Sequence, residues 1–133
     1  MSDDKKVREK YVQLQLIHQK IQELQQSMQA LEQQLAENDY VVASLLEFKG
    51  VKSGKEILFP VASGVFARAK LVDSSKVLVN VGAGAMVEKS IDEAGELVAS
   101  QGGEIRSLLG QFTAQVDSLM HKSEDIQKEL QNV

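Results

Sequence analysis

Apolar residues recur every seven positions along the first third of the chain, in alternating steps of three and four. They define two rows of positions, which are apolar except at Lys10 and Asn38. The first row is Val7, Leu14, Ile21, Met28, Leu35 and Val42, and the second is Lys10, Ile17, Leu24, Leu31, Asn38 and Leu45. Polar residues fill most of the positions between them, which is typical of a helix with a narrow apolar seam that must pair with another helix. We expect this helix to end at Lys49, before Gly50, and the polar seam residue Asn38 to fix its register.

The period of the pattern changes to two between Glu56 and Lys89, where β-branched residues become frequent. Four short strands are predicted, at 56–61, 65–71, 76–81 and 85–89. Ser63-Gly64 and Gly82-Ala83-Gly84 then supply the turns of two hairpins, because glycine adopts the positive φ of a tight turn. Two hairpins bury too little surface to be stable in water by themselves, so this segment is expected to bind other chains.

The last segment opens with Ser90 and Glu93 at the two positions of a capping box, which predicts a helix that starts at Ile91. A second seven-residue repeat follows. One row comprises Ile91, Val98, Ile105, Phe112, Leu119, Ile126 and Val133, and the other includes Leu109, Val116 and Leu130. Gly102, Gly103 and Gly110 each cost about 1 kcal/mol relative to alanine in a helix interior, so we expect a bend or soft point there.

These segments predict an α+β chain with a single domain made of a helix over 1–50, two β-hairpins over 51–89 and a helix over 90–133. The simplest closure folds the two helices against each other as a long antiparallel coiled coil, with the hairpins at its base.

Composition narrows the possible functions. The chain has no cysteine, which removes disulfides, cysteine-ligated zinc and cysteine nucleophiles and favours a reducing, cytoplasmic location. Its net charge of −4 and its scattered basic residues argue against nucleic acid as a partner. The amino terminus lacks the apolar stretch of a signal peptide, and nowhere do about 18 apolar residues run together, so a membrane location is not expected.

Candidates for catalytic or cofactor chemistry are weak. His18 and His121 belong to no constellation of Asp, Glu or Cys that would make a metal site or a proton relay. The glycine-rich segment 50–56 has its glycines one residue too close for a phosphate-binding loop, has Glu56 at the magnesium-binding position, and precedes a strand. Gly82-Ala83-Gly84 also precedes a strand, which favours a hairpin turn over a nucleotide site. We therefore predict no enzyme activity, no cofactor and no bound metal.

The central segments match a known family. EILFPV at 56–61, SGVFARA at 63–69, VLVNVGAG at 77–84 and VEK at 87–89 resemble the corresponding region of archaeal prefoldin α subunits. The similarity extends to the whole order of helix, two hairpins and helix. Four strands indicate the α class, since prefoldin β subunits carry one hairpin between their helices.

The resemblance implies a holdase chaperone that works without ATP. It implies a hexamer of two α and four β subunits, in which the hairpins form an oligomeric β-barrel platform and the coiled coils hold unfolded clients at their tips before transfer to a group II chaperonin. The apolar residues expected to bind clients at the tips are Val7, Tyr11, Leu14, Leu119, Met120, Ile126, Leu130 and Val133. Those expected to join the subunits are Ile57, Phe59, Val61, Val65, Phe66, Leu71, Val77, Leu78, Val79 and Val81.

Two alternatives remain open at this stage. The chain is a structural coiled-coil scaffold if the hairpins assemble it but the tips have no affinity for clients. It is a nucleotide-binding protein or enzyme if one of the glycine-rich loops binds phosphate, although those loops are the only feature in favour.

Overall fold

A computed structural model describes residues 2–132, which form two helices and four strands. Helix α1 spans Ser2–Lys49 and helix α2 spans Ile91–Gln131. The strands between them are β1 (Glu56–Ala62), β2 (Val65–Lys70), β3 (Lys76–Gly82) and β4 (Ala85–Ser90). The predicted order of helix, two hairpins and helix is confirmed.

Both predicted boundaries between the helices and the hairpins are confirmed. Helix α1 ends at Lys49, whose ammonium group lies in the last turn, where it offsets the negative end of the helix dipole. Helix α2 begins at Ile91, and the backbone N–H of Glu93 donates to Oγ of Ser90 at 3.1 Å, as in the predicted cap. The helix is continuous through Gly102, Gly103 and Gly110. The soft point expected there stays a prediction.

The chain divides into two compact units, and each helix contributes to both. Unit 1 contains the described residues up to Ala36 and from Gly103 onward. Its core is a cluster of Leu14, Ile17 and Ile126, against which Ile21, Leu119 and Leu130 pack. The helices are antiparallel here: Nζ of Lys10 lies 3.1 Å from the Glu129 carboxylate, whereas His18, further along α1, contacts the earlier Ser123. The seam predicted from the heptads is therefore formed in this unit.

Unit 2 is Glu37–Gly102 and contains the inner ends of the helices with both hairpins. The helices are antiparallel here too. The side-chain amide of Asn38 donates to the Val98 carbonyl at 2.9 Å, and Nζ of Lys49 lies 2.8 Å from Oδ1 of Asp92. Ile91 and Ala94 are the buried apolar residues of this unit. In this unit the two helices are thus joined by a polar contact in the seam and by an ion pair near the hairpins.

Each hairpin is a separate two-stranded antiparallel sheet. In the first, Leu58 lies opposite Arg68, and in the second, Leu78 lies opposite Glu88. The register shifts by one residue beside each turn, after Pro60 and after Asn80. Strand β2 ends one residue earlier than predicted and the other three strands end one residue later, because ladder pairing rather than side-chain alternation decides where a strand stops.

The turns differ in backbone conformation. Gly64 has a φ of 76°, and Ser63 before it is not among the positive-φ residues. In the second turn Ala83 and Gly84 have φ of 52° and 76°, so both central residues are left-handed, as in a type I′ turn. Ala83 is the non-glycine residue with positive φ in the part of the chain that the structure describes.

Candidate functional site

The first hairpin has one apolar face and one mixed face. Residues opposite each other share a face, so Ile57 and Phe59 of β1 lie on the same side as Ala67 and Ala69 of β2. The other face carries Arg68, whose Nε lies 3.8 Å from Oε1 of Glu56. The apolar face is open to solvent, with Phe59 57% exposed. An apolar sheet face that is so open to solvent requires another protein surface to cover it.

The second hairpin has a similar arrangement with one difference. Val77 and Val79 of β3 share a face with Val87 of β4, but Lys89, opposite Val77, adds a cation to that face. The other face carries an ion pair in which Nζ of Lys76 lies 3.8 Å from Oε1 of Glu88. The residues that the sequence assigns to subunit contacts divide into two groups. Exposed in the single chain are Ile57, Phe59, Val61, Val65, Phe66, Leu78 and Val81, and half-buried are Leu71, Val77 and Val79.

The residues proposed to bind clients divide in the same way. Leu14 and Ile126 are buried in the seam, where each packs against the partner helix. Tyr11 and Met120 are exposed, at 60% and 42%. Val7, Leu119 and Leu130 are half-buried. Val133 lies outside the described residues.

Tyr11 and Met120 lie on one flank of the paired helices. A groove of about 330 Å³ beside Tyr11 is also lined by Leu14, Gln127 and Leu130. Met120 stands seven residues before Gln127, two full helical turns away on nearly the same side of α2. The flank therefore offers a tyrosine and a methionine to solvent beside the buried Leu14 and the half-buried Leu130.

The exposed apolar residues of α1 that were not assigned from the sequence include two near Tyr11. Val12 and Leu16 are 54% and 58% exposed and lie one turn apart on the face that points away from the seam. A groove next to Val12 is bordered by Lys5, Arg8 and Glu9. The heptad rows do not include these positions. The signal in the sequence was the presence of two apolar residues, four positions apart, on the outward face of the helix.

A further groove lies in unit 2 beside the inner ends of the helices. Its volume is about 400 Å³, and it is lined mostly by Val42, Leu45, Leu46, Ile91, Gly95 and Ala99. Gly95, seven residues before Gly102 and fourteen before Leu109 in the second seam row, has no side chain, and no atom outside its own stretch of helix lies within 4 Å of the position its Cβ would take. The sequence shows this glycine gap in the second row, although the groove itself was not predicted.

The polar groups form no catalytic arrangement within the described residues. No group of three or more His, Cys, Asp or Glu among them is placed to hold a metal ion. Oγ of Ser123, which is buried, lies 3.3 Å from Nε2 of His18. The Asp117 carbonyl, 2.8 Å from Nδ1 of His121, and then Glu124 raise the pKa of that exposed histidine above its ordinary 6.5. None of the helices between residues 2 and 132 is both long and apolar enough to cross a membrane.

Comparison with known proteins decides the family. The family model described as "Prefoldin subunit" matches residues 17–133. A prefoldin subunit alpha of Archaeoglobus fulgidus is 31% identical over 132 residues, which is 98% of this chain and 95% of that protein. The chain belongs to the prefoldin family. A prefoldin subunit alpha of Thermofilum pendens is also 31% identical, over 109 residues that cover 82% of this chain and 84% of the relative.

A solved prefoldin structure has the same fold. It is a filamentous PFD from Methanocaldococcus jannaschii, 23% identical, with a TM-score of 0.77 over 90% of this chain and 98% of that one. The resemblance found in the strand segments is therefore confirmed, and prefoldin membership gives the chain a chaperone-type function. The barrel platform is a property of an assembly, so for a single chain it stays a prediction.

Proposed function

We propose that this chain is the α subunit of a prefoldin hexamer with two α and four β subunits, which holds unfolded proteins without ATP and passes them to a group II chaperonin. The observation that carries the client-binding role is the exposure of Tyr11 and Met120 on one flank of unit 1 while the seam beside them is closed. A cytoplasmic location follows from the same proposal.

Assembly is supported by the hairpins. Each has an apolar face built from short strands, and two-stranded hairpins are marginal in water unless another surface covers them. The exposed Phe59, Val61 and Leu78 would each contribute roughly 1.5–3 kcal/mol if fully buried in an interface. The hairpins are therefore the parts of the chain that gain most from contact with other subunits.

Client capture is supported by the chemistry of the exposed flank. Tyrosine has an apolar ring with a polar tip, and methionine is flexible and polarisable, so both adapt to many apolar partners. One such flank binds weakly. Several flanks on one platform bind a single chain together, because the first contact raises the effective concentration for the next. Weak contacts of this kind also allow release without nucleotide hydrolysis.

The test compares the only two tyrosines of the chain. Tyr11→Ser with Met120→Ser removes the exposed flank, whereas Tyr40→Ser removes an even more exposed ring, 74% accessible, from unit 2. Each variant is assembled with a prefoldin β subunit, and aggregation of a denatured protein is followed by light scattering. We expect the double variant to lose a large part of its protection and Tyr40→Ser to keep it.

Equal protection by the double variant and the wild type would assign client binding to other residues of the complex. If the wild-type complex leaves scattering unchanged at stoichiometric excess, the chain is the structural scaffold of the first alternative. Point variants are cleaner than end deletions here, because removing residues 119–133 would also uncover the seam residues Leu14 and Ile17.

A further inference from the structure

The groove in unit 2 stays open because one of its walls lacks large side chains. Gly95 and Ala99 of α2 line one side, and Val42 and Leu46 of α1 line the other. No atom outside its own stretch of helix lies within 4 Å of the position that a Cβ on Gly95 would take. Leu46 is 68% exposed and Ala99 is exposed too, so the groove opens to solvent. A space of about 400 Å³ in this position is large enough to receive apolar side chains from a ligand.

The length of the groove suits a short stretch of extended chain. The groove follows α1 from Val42 to Lys49, a length of about 10 Å at about 1.5 Å per residue. An extended chain rises about 3.3 Å per residue, so about three of its residues lie within this length. Side chains two residues apart in an extended chain point to the same side. The first and third residues of such a stretch can therefore enter the groove together.

The helix ends around the groove are strongly acidic. Within residues 37–49 and 91–102 the one basic residue is Lys49. The acidic residues of the same two stretches are Glu37, Asp39, Glu47, Asp92, Glu93 and Glu96. Six carboxylates against one ammonium group give these stretches a net charge of −5, whereas the whole chain carries −4. The negative charge of the protein is therefore concentrated around the groove, and the rest of the chain is close to neutral.

Three of these charged residues line the groove itself. Nζ of Lys49 lies 2.8 Å from Oδ1 of Asp92, so these two charges offset each other at the end nearer the hairpins. Glu96, one turn further along α2, also lines the groove and gives it a net negative charge. Its side chain belongs to an exposed residue, so a ligand can reach the carboxylate. A cation beside the apolar walls is attracted there, whereas an anion is repelled.

We propose that this groove binds a short segment of an unfolded protein in which aliphatic or aromatic residues adjoin lysine or arginine. The apolar side chains fill the space beside Gly95, and the cation lies next to Glu96. This inference rests on the proposed function and deepens it, because it names a class of client segment. The exposed Tyr11 and Met120 are uncharged and give no such preference.

Peptide binding tests the charge preference. The probes are a fluorescent peptide of alternating leucine and lysine and the same peptide with glutamate in place of lysine. Binding to the full chain, and to its complex with a prefoldin β subunit, is followed by fluorescence anisotropy. We expect the lysine peptide to bind about tenfold more tightly than the glutamate peptide at low salt, with a smaller difference at high salt. Equal affinities at low salt would overturn the proposal.

Gly95→Leu tests the location. The new side chain enters the open space and fills the groove, and leucine favours a helix more than glycine does, so the fold is kept. We expect the lysine peptide to bind about tenfold more weakly, because its apolar side chains lose their site, while the melting temperature does not fall. Gly103→Leu is the matched control, since Gly103 also has free space around it in α2 but lies in unit 1. Unchanged binding in Gly95→Leu, or an equal loss in both variants, would show that the peptide does not occupy the groove.

Glu96→Lys tests the charge. We expect this variant to bind the lysine peptide about fivefold more weakly and the glutamate peptide more tightly, because the charge beside the apolar walls is reversed. Glu104→Lys changes the net charge by the same amount at an exposed position of α2 in unit 1, and should leave both affinities nearly unchanged. If Glu104→Lys acts as strongly as Glu96→Lys, the attraction belongs to the whole chain and the proposed site is wrong.

Two other occupants of the groove give different results, and each contradicts the proposal. If Gly95→Leu lowers self-association of the full chain in sedimentation and leaves peptide binding unchanged, a second copy covers the groove. If the free chain binds the lysine peptide but the complex with β subunits does not, another subunit covers the groove and clients do not reach it.

Failure of this inference is distinguishable from failure of the proposed function. Gly95→Leu and Glu96→Lys leave Tyr11 and Met120 unchanged. A wild-type complex that protects a denatured protein from aggregation but does not prefer the lysine peptide overturns the groove site alone. A complex that binds the lysine peptide in a manner sensitive to Gly95 and Glu96, but gives no protection, overturns the chaperone role alone.

Discussion

The side-chain amide of Asn38 on α1 donates a hydrogen bond of 2.9 Å to the backbone carbonyl of Val98 on α2, 60 residues further along the chain. Asn38 follows Ile17, Leu24 and Leu31 in a seam row, and the bond gives this polar group a partner in a half-buried position. An apolar side chain packs in more than one alignment of two helices, whereas this donor is satisfied only where the Val98 carbonyl faces it. The contact therefore ties the alignment of the helices in unit 2 to one register.

Replacing Asn38 with leucine should stabilise the chain and make the alignment of its two helices less specific. We expect the free energy of unfolding to rise by about 1 kcal/mol, because an apolar residue in the seam replaces a polar one. Chemical denaturation measures the gain. Gln33→Leu, an exposed position on the same helix, is the control and should leave stability unchanged. A loss of stability in Asn38→Leu would show that the hydrogen bond outweighs the burial.

Truncation of Leu24 tests whether the two helices pair through the seam in unit 1. It is 5% exposed, so Leu24→Ala should lower the free energy of unfolding by about 2–3 kcal/mol through lost burial and the cavity left behind. Leu46→Ala is the matched control, since Leu46 is 68% exposed and its truncation should cost less than about 0.5 kcal/mol in the isolated chain. Similar losses from both would mean that the helices do not pair as described.

One residue in the turn of the second hairpin has an unfavourable backbone conformation, which a substitution can relieve. Ala83 has a φ of 52°, a region that favours Asn and Gly over alanine. Ala83→Asn should therefore slow amide hydrogen exchange in β3 and β4, with a local gain of about 0.5–1 kcal/mol. Ser63→Asn is the equivalent change in the first turn, where φ is not positive, and should give no gain. A gain of the same size at both turns would argue against the type I′ conformation.

Asp73 in the linker between the hairpins predicts a pH effect of known sign. Hydrogen bonds from the Ser75 hydroxyl at 2.7 Å and then from its backbone N–H at 2.8 Å lower the pKa of the exposed Asp73 carboxyl below 3.8. A lowered pKa contributes stability that is present above pH 3.8 and is lost as the pH falls through the folded-state value. Ser75→Ala should raise the Asp73 pKa in an NMR titration, whereas Ser75→Thr, which keeps the hydroxyl, should not. Unchanged titration in Ser75→Ala would remove the hydroxyl as the main cause.

The local elements could be predicted closely because their signals are local. The boundary at Ile91 follows from the capping residue before it, an interaction within a few residues. The boundary at Lys49 was predicted from Gly50, but Gly50 is not among the positive-φ residues, and the helix ends instead in bonds from the N–H groups of Gly50 and Val51 to the Glu47 and Phe48 carbonyls. The strands follow from alternation and from turn glycines. The heptad rows likewise identified the seam, since a helix period fixes which residues share a face.

The candidate binding residues were harder to assign. The sequence analysis treated Leu14 with Tyr11, and Ile126 with Met120, as apolar residues near the helix ends, but the structure buries the first of each pair and exposes the second. Exposure depends on how the partner helix lies across the seam, which a single repeat does not specify. Val12 and Leu16 were missed because they lie on the outward face of α1, where the sequence analysis placed only solvated residues.

The sequence alone determined the order and type of the elements, the family and the residues that can form a seam, because each follows from patterns within one helix, strand or turn. Only the tertiary structure decided that Asn38 meets Val98 and that Ser123 meets His18. These relationships depend on the register between segments distant in the chain. A shift of one turn or one residue would keep every local preference and change every contact.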